Sequence, residues 1–228
     1  MKLKMLLVLV TISLLVMATS CTTVDGFSQG SSKPETIKIA PAAVVEVVPP
    51  APIVEPISIP EKTYQIGSKG PAGGFIVYDK GSKTDGWRYL ELAPAETEFA
   101  YIEWGGYGTL VGNLERGIGS GLENTKRIVS VFGSKEPKRG NNYPAKMCDD
   151  LVYNGYSNWF LPSIEELKLV YTNLIAKDLG DIVDPNMHSY WSSNEQAMAF
   201  AWSMTGANGS TSDVNRDFKN KTRAMRRF

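Results

Sequence analysis

Proline constrains this chain more than any other residue. From Ala40 to Pro52 the sequence reads Ala-Pro-Ala-Ala-Val-Val-Glu-Val-Val-Pro-Pro-Ala-Pro. Each proline fixes φ and removes a backbone donor, so the stretch builds neither a helix nor a central strand. Its natural state is an extended polyproline-like spacer, rising ~3.1 Å per residue. Together with the polar residues Thr22 to Thr36, it makes 22–61 a tether. The chain therefore reads as three parts: a leader (1–21), the tether (22–61) and one globular domain (62–228).

The leader has the pattern of a secretory signal. Lys2 and Lys4 precede an apolar run, Leu6 to Met17, that is shorter than the ~20 residues needed to span a bilayer. Ala18-Thr19-Ser20 then leads into Cys21. This arrangement resembles the lipobox of bacterial lipoproteins, in which the Cys is acylated and becomes the mature N-terminus. Ala18 stands where that motif usually has Leu, and Ala18-x-Ser20 also suits ordinary signal peptidase, which would release a soluble protein. Both routes export the chain. Lipidation at Cys21 is the expectation, with the protein anchored in the bacterial envelope, at the outer membrane or cell surface.

Charge and cysteine content narrow the function. Twenty-four basic and 24 acidic residues cancel, which gives no reason to expect a nucleic-acid partner. With Cys21 acylated, Cys148 has no partner for a disulfide. Met147, Cys148, Leu151 and Val152 repeat at helical spacing, so Cys148 is expected to be a buried, inert thiol.

Within the globular part, Gly67 to Gly74 is turn-forming and leads into a short strand at Phe75–Tyr78, with Trp87–Leu92 as its neighbour. A Gly-rich region, 105–121, precedes a helix around Asn124–Phe132. Ser163 followed by Glu166 is a capping box opening a second long helix, with Ile164, Leu167, Val170, Tyr171, Leu174 and Ile175 on one face. Tyr190–Ser193, Ala199–Met204 and Arg223–Phe228 read as strands.

Several segments occur in a telling order: GPAGGFIVYDKG from Gly70, GWRYLELAP from Gly86, WFLPSIEELKLVY from Trp159, YWSS from Tyr190, and a terminal RAMRRF. Together they resemble the C-terminal domain family of bacterial collagen-like adhesins. The resemblance covers roughly residues 64–228. It implies an α+β fold of the C-type-lectin-like kind, a compact domain with two or three helices and small antiparallel sheets. No Gly-X-Y repeat is present, so the adhesin's stalk is missing and its activity need not follow.

No catalytic constellation assembles from this sequence. The single His188 rules out His-rich zinc sites, Gly117-x-Gly119-x-Gly121 does not match a nucleotide fingerprint, and no nucleophile, base and orienter come together. Asp149-Asp150 and Glu165-Glu166 read as solvated helix positions. No cofactor is expected. Asp178, Asp181 and Asp184 share one loop, and Asp184-Pro185-Asn186 resembles the Glu-Pro-Asn of sugar-binding lectins. The Trp-Asn-Asp partner motif is missing, however, and Trp191-Ser192-Ser193 stands in its place. The expectation is an acidic solvent-facing loop without a metal.

Two ligand-binding candidates remain. Trp104 and Tyr107 lie in a glycine-rich loop that offers little to pack against, unlike Trp159, Trp191 and Trp202, which are expected in the core. Arg216 to Phe228 carries six basic residues and one acid. Lys219 and Lys221 alternate onto one strand face with Arg223, and Arg227 adds charge near the end. An exposed stripe of this kind suits sulfated polysaccharide. Arg223 and Arg226 also fit an internal role, bridging to core carboxylates. The resulting expectation is a non-catalytic, surface-displayed binding module for glycans or extracellular-matrix polymers. The alternative is a periplasm-facing interaction lipoprotein with a protein partner.

Overall fold

The computed structural model describes residues 62–133 and 142–228. Cys21, the leader and the tether lie outside the described residues. Among the described residues, two small sheets and three α-helices make a mixed α+β fold.

The first sheet starts from a hairpin that local chemistry dictates. Strand β1 (Phe75–Thr84) turns at Asp85-Gly86 into β2 (Trp87–Leu92). Both turn residues have positive φ, 53° and 80°, which suits the right-handed twist of a two-residue hairpin. Farther along the chain come β3 (Phe99–Glu103), helix α1 (Gly121–Phe132), helix α2 (Pro144–Asp149), β4 (Trp159–Phe160) and helix α3 (Ile164–Asn173). Strands β5 (Ser189–Ala197), β6 (Phe200–Thr205), β7 (Thr211–Asn215), β8 (Lys219–Thr222) and β9 (Met225–Arg227) follow. The strand order is β1-β2-β9-β4 in one sheet and β3-β8-β5-β6-β7 in the other. All pairings are antiparallel except β5 with β8.

The capping box forms as the sequence predicts. Ser163 Oγ accepts from Glu166 N, while Ser163 N donates to Glu166 Oε2 at 2.7 Å. Ile164, Leu167 and Val170 of α3 are buried with Phe75, Leu90, Phe160, Tyr190 and Met225. Each such burial contributes about 1.5–3 kcal/mol. A second cluster gathers Trp104, Ile128, Phe132, Tyr143, Cys148, Trp159 and Trp191. Trp202 is only partly buried, against the first cluster.

Two helix boundaries differ from the sequence reading. Helix α1 starts at Gly121 rather than Asn124. Helix α2 stops at Asp149, so Val152 is exposed and only the Cys148 side of the apolar repeat is buried.

Buried carboxylates then pin the loops. Glu91 is fully buried, and its Oε1 accepts the N–H groups of Ala72 and Gly74, each at 3.0 Å. Its Oε2 lies 2.7 Å from Arg226 Nη1. Desolvation still pushes the Glu91 carboxyl up from its ordinary value, against the pull of Arg226. Gly74 has to be glycine, because a Cβ there would lie 1.9 Å from the carbonyl oxygen of Leu92. The Gly-Pro-Ala-Gly-Gly motif is therefore a wrapping around one buried ion pair. Glu166 is also fully buried rather than solvated, which corrects the sequence reading. Besides the cap, its Oε1 accepts Gly119 N at 2.9 Å, and desolvation pushes its carboxyl up. Glu165 does face solvent, where it pairs with Lys168 at 2.8 Å.

The two ends of the described domain meet. Arg88 N and Tyr89 N donate to the carbonyl of Phe228, and the rings of Tyr64 and Phe228 pack edge to face at 5.5 Å. Among the described residues, no helix is long and apolar enough to cross a membrane.

Candidate functional site

The loops at one end of the five-stranded sheet are organised by a single side chain. Arg216, just past β7, is fully buried. Its Nη2 lies 2.7 Å from Glu195 Oε2 and donates to Ala197 O at 2.7 Å. Its Nη1 donates to Thr109 O at 2.8 Å and to Gly106 O at 3.1 Å, and its plane sits 4.4 Å from the ring centre of Trp104. Glu195 in turn accepts the N–H of Val111 at 3.0 Å and that of Gly112. Burial pulls the Arg216 guanidinium below its usual value, and Glu195 pulls it partly back. A planar fork with donors in several directions is what such a hub requires; an ammonium has no equivalent.

Three loops meet on this hub. Gly108 N donates to Met198 O at 2.9 Å, Arg216 N to Ala199 O at 2.9 Å, and Trp104 N to Arg216 O at 3.0 Å. These loops carry Tyr107, Leu110, Met198 and Phe218, and β6 begins with Phe200; all five are between 39 and 64% exposed. Isolated exposed apolar residues are ordinary, but several on loops tied to one buried ion pair are not.

The two ligand candidates read from sequence fare differently. Trp104 is 1% exposed, its Nε1 donates to Ser192 O at 2.8 Å, and Phe132 packs against its ring at 6.0 Å. It is the floor of the loop cluster and no ligand can stack on it. Tyr107, three residues on, is 45% exposed and is part of the displayed set. Leu110, Met198, Phe200 and Phe218 were not singled out from sequence. Nothing local marks them, because their neighbours in space come from distant segments.

The basic stripe does not form. Lys221 is buried, with its Nζ 2.8 Å from Glu98 Oε1 and 3.3 Å from Val183 O. Arg227 belongs to the other sheet, where its Nη1 donates to Gly119 O at 2.9 Å. Arg223 is buried past the end of β8 and donates from Nε to Ala93 O at 2.7 Å. Only Lys219 keeps an exposed side chain. Alternation along the strand is real, but the face it points Lys221 toward is covered by Glu98 and the 181–183 loop.

Other candidate chemistry resolves into structure. Asp178, Asp181 and Asp184 all take left-handed backbone, and Asp181 pairs with Lys69 at 3.2 Å. Among the described residues, no group of three or more His, Cys, Asp or Glu is placed to hold a metal ion. Cys148 is fully buried, and desolvation pushes its thiol far up, away from the thiolate. A recess of about 670 Å³ lies along α1, but its charges are engaged locally. Lys126 pairs with Glu123 at 3.1 Å, and Arg127 Nε donates to the carbonyl of Gly112.

No family model and no curated protein matches this chain. The segments that carry the adhesin-type resemblance are largely scaffold in this fold: Gly70–Gly74, Glu91 and Arg226 meet in one ion pair.

Proposed function

We propose that this protein is a non-catalytic binding module, exported and lipid-anchored through Cys21. The 22–61 spacer holds the domain away from the membrane, at the outer membrane or cell surface, and the domain binds a glycan or matrix polymer through its loop end. The observation that carries this reading is the Arg216–Glu195 hub, which fixes three loops and displays Tyr107, Phe200 and Phe218 at the surface. A rigid display of aromatic side chains lowers the ordering cost of binding. The adjoining ends of the domain and its small sheets also support a C-type-lectin-like fold.

The contacts offered are apolar rather than ionic, so binding should persist as salt is raised. The full-length protein, tested against heparin, neutral glycans and matrix proteins at low and high salt, should retain one of them at both. Tyr107→Ala and Phe218→Ser should each weaken that binding about tenfold. Binding that vanishes at high salt, or that ignores both substitutions, would overturn the loop-end assignment. Met198, Leu110 and Phe218 also favour a second reading, a protein partner, because Met and Phe adapt well to polypeptide surfaces. Protease accessibility on whole cells separates the two: a domain cleaved only after the outer membrane is opened would select a periplasm-facing protein partner. Anchoring has its own test: wild-type protein should incorporate labelled palmitate and Cys21→Ser should not. Absence of label in wild type would sink the lipoprotein reading.

A further inference from the structure

Seven described non-glycine residues have positive φ. Six are Asp or Asn, and the seventh is Tyr101, at 57°. Asp and Asn visit this region readily, whereas a bulky aromatic there is a true outlier. The cause is a bulge. Phe99 pairs with Thr222 and Ile102 with Asn220, so three steps along β3 match two along β8. Glycine fills such a bulge position without strain, yet this chain places a tyrosine there. Its side chain stays largely open to solvent: Tyr101 is 59% exposed, and its ring meets His188 edge-on at 5.9 Å. Strain of this kind persists where the surroundings impose it, and it concentrates at functional sites.

Beside the ring is a recess of about 250 Å³ lined by Tyr101, Ile102, Glu103, Asn142 and Lys219. Glu103 and Lys219 are directly opposite in the β3–β8 ladder, so carboxylate and ammonium stand on the same face. Glu103 is 7% exposed while Lys219 is open to solvent. The recess is smaller than those that take drug-sized ligands, so it admits one small ring and not a chain of them. Among the described lining residues one carboxylate faces one ammonium, and a sulfate or phosphate entering the recess would meet the Glu103 carboxylate. Donors, acceptors and one aromatic face suit a neutral ring rich in hydroxyls.

We propose that this recess is a saccharide subsite. One neutral pyranose lies against Tyr101 and hydrogen-bonds through its hydroxyls to Glu103, Lys219 and Asn142. The subsite borders the loop end, since Trp104 follows Glu103 and Phe218 precedes Lys219. It rests on the glycan-binding reading for its ligand class, and deepens it by naming a second contact point.

Saturation-transfer NMR with full-length protein and free galactose, glucose and N-acetylglucosamine tests it. At least one sugar should bind with an affinity on the order of 1 mM, as expected for a single ring. Tyr101→Phe should retain binding, while Tyr101→Gly and Lys219→Met should each lower it about tenfold or more. Lys177→Ala, an exposed residue outside the recess, should leave it unchanged. Because Tyr101→Gly relieves backbone strain, its thermal midpoint should equal or exceed that of wild type. A midpoint drop of several degrees would make Tyr101 a structural residue and overturn the proposal. Failure of every monosaccharide to bind wild type, with polymer binding at the loop end intact, would overturn the subsite and leave the loop-end reading standing.

Discussion

Arg226→Met is expected to cost the domain about 3–5 kcal/mol, because it strands a buried carboxylate. For a domain of this size, that corresponds to a fall of about 10 °C in thermal midpoint. The side chain removed is more than a charge. It lies 2.7 Å from Glu91, 3.2 Å from Asn158 Oδ1, and 3.9 and 4.7 Å from the ring centres of Tyr156 and Phe228. Glu91 in turn holds the 70–74 loop through two N–H groups. Combining Glu91→Gln with Arg226→Met should restore part of the loss, since the amide oxygen still accepts those N–H groups and no charge is buried. The deficit of the single variant should also depend on pH. Burial raises the folded-state carboxyl of Glu91 above its ordinary 4.5, and losing Arg226 raises it further. A folded state that binds the proton more tightly than the unfolded chain loses stability as pH rises. The deficit should therefore grow as pH rises past the already raised carboxyl value of wild type, and shrink in acid. Denaturant titrations of the three proteins across pH give the answer; a loss below about 1 kcal/mol, as for a surface ion pair, would contradict it.

Arg216→Lys should loosen the binding end while leaving the rest of the domain folded. A lysine still supplies a charge for Glu195, but one ammonium cannot serve the carbonyls of Gly106, Thr109 and Ala197 together. Leaving buried acceptors unpaired costs about 1–3 kcal/mol each, so the loops should open about 2–3 kcal/mol more easily. The loss should be local. Amide exchange at Gly108, Val111 and Gly112 should accelerate about a hundredfold, while Leu167 and Val170 in α3 keep protection close to the global stability. Ligand binding at the loop end should fall with the loop protection. Uniform acceleration across the domain would mean that the hub supports the whole fold; unchanged exchange at Val111 and Gly112 would mean that it does not hold the loops.

What the sequence revealed by itself was local. The capping box of Ser163 and Glu166 and the placement of most strands depend on residues a few positions apart, and they formed as read. Strands β3 and β7 escaped notice because β3 is interrupted by the Tyr101 bulge and β7 offers only Val214 as an apolar residue. The fate of charged and aromatic side chains was not local. Lys219 and Lys221 obey the same alternation, yet one faces solvent and the other is covered by Glu98. Trp104 sits in a glycine-rich loop, as its neighbours indicate, but its ring is buried by Phe132, Ser192 and Arg216. Glu91, Glu166 and Glu195 look like ordinary surface acids until the N–H groups and guanidinium forks that satisfy them arrive from elsewhere in the chain. The period of a helix or strand decides which direction a side chain points; only tertiary packing decides whether water or a partner is waiting there, and desolvation makes that difference worth several kcal/mol for a charge.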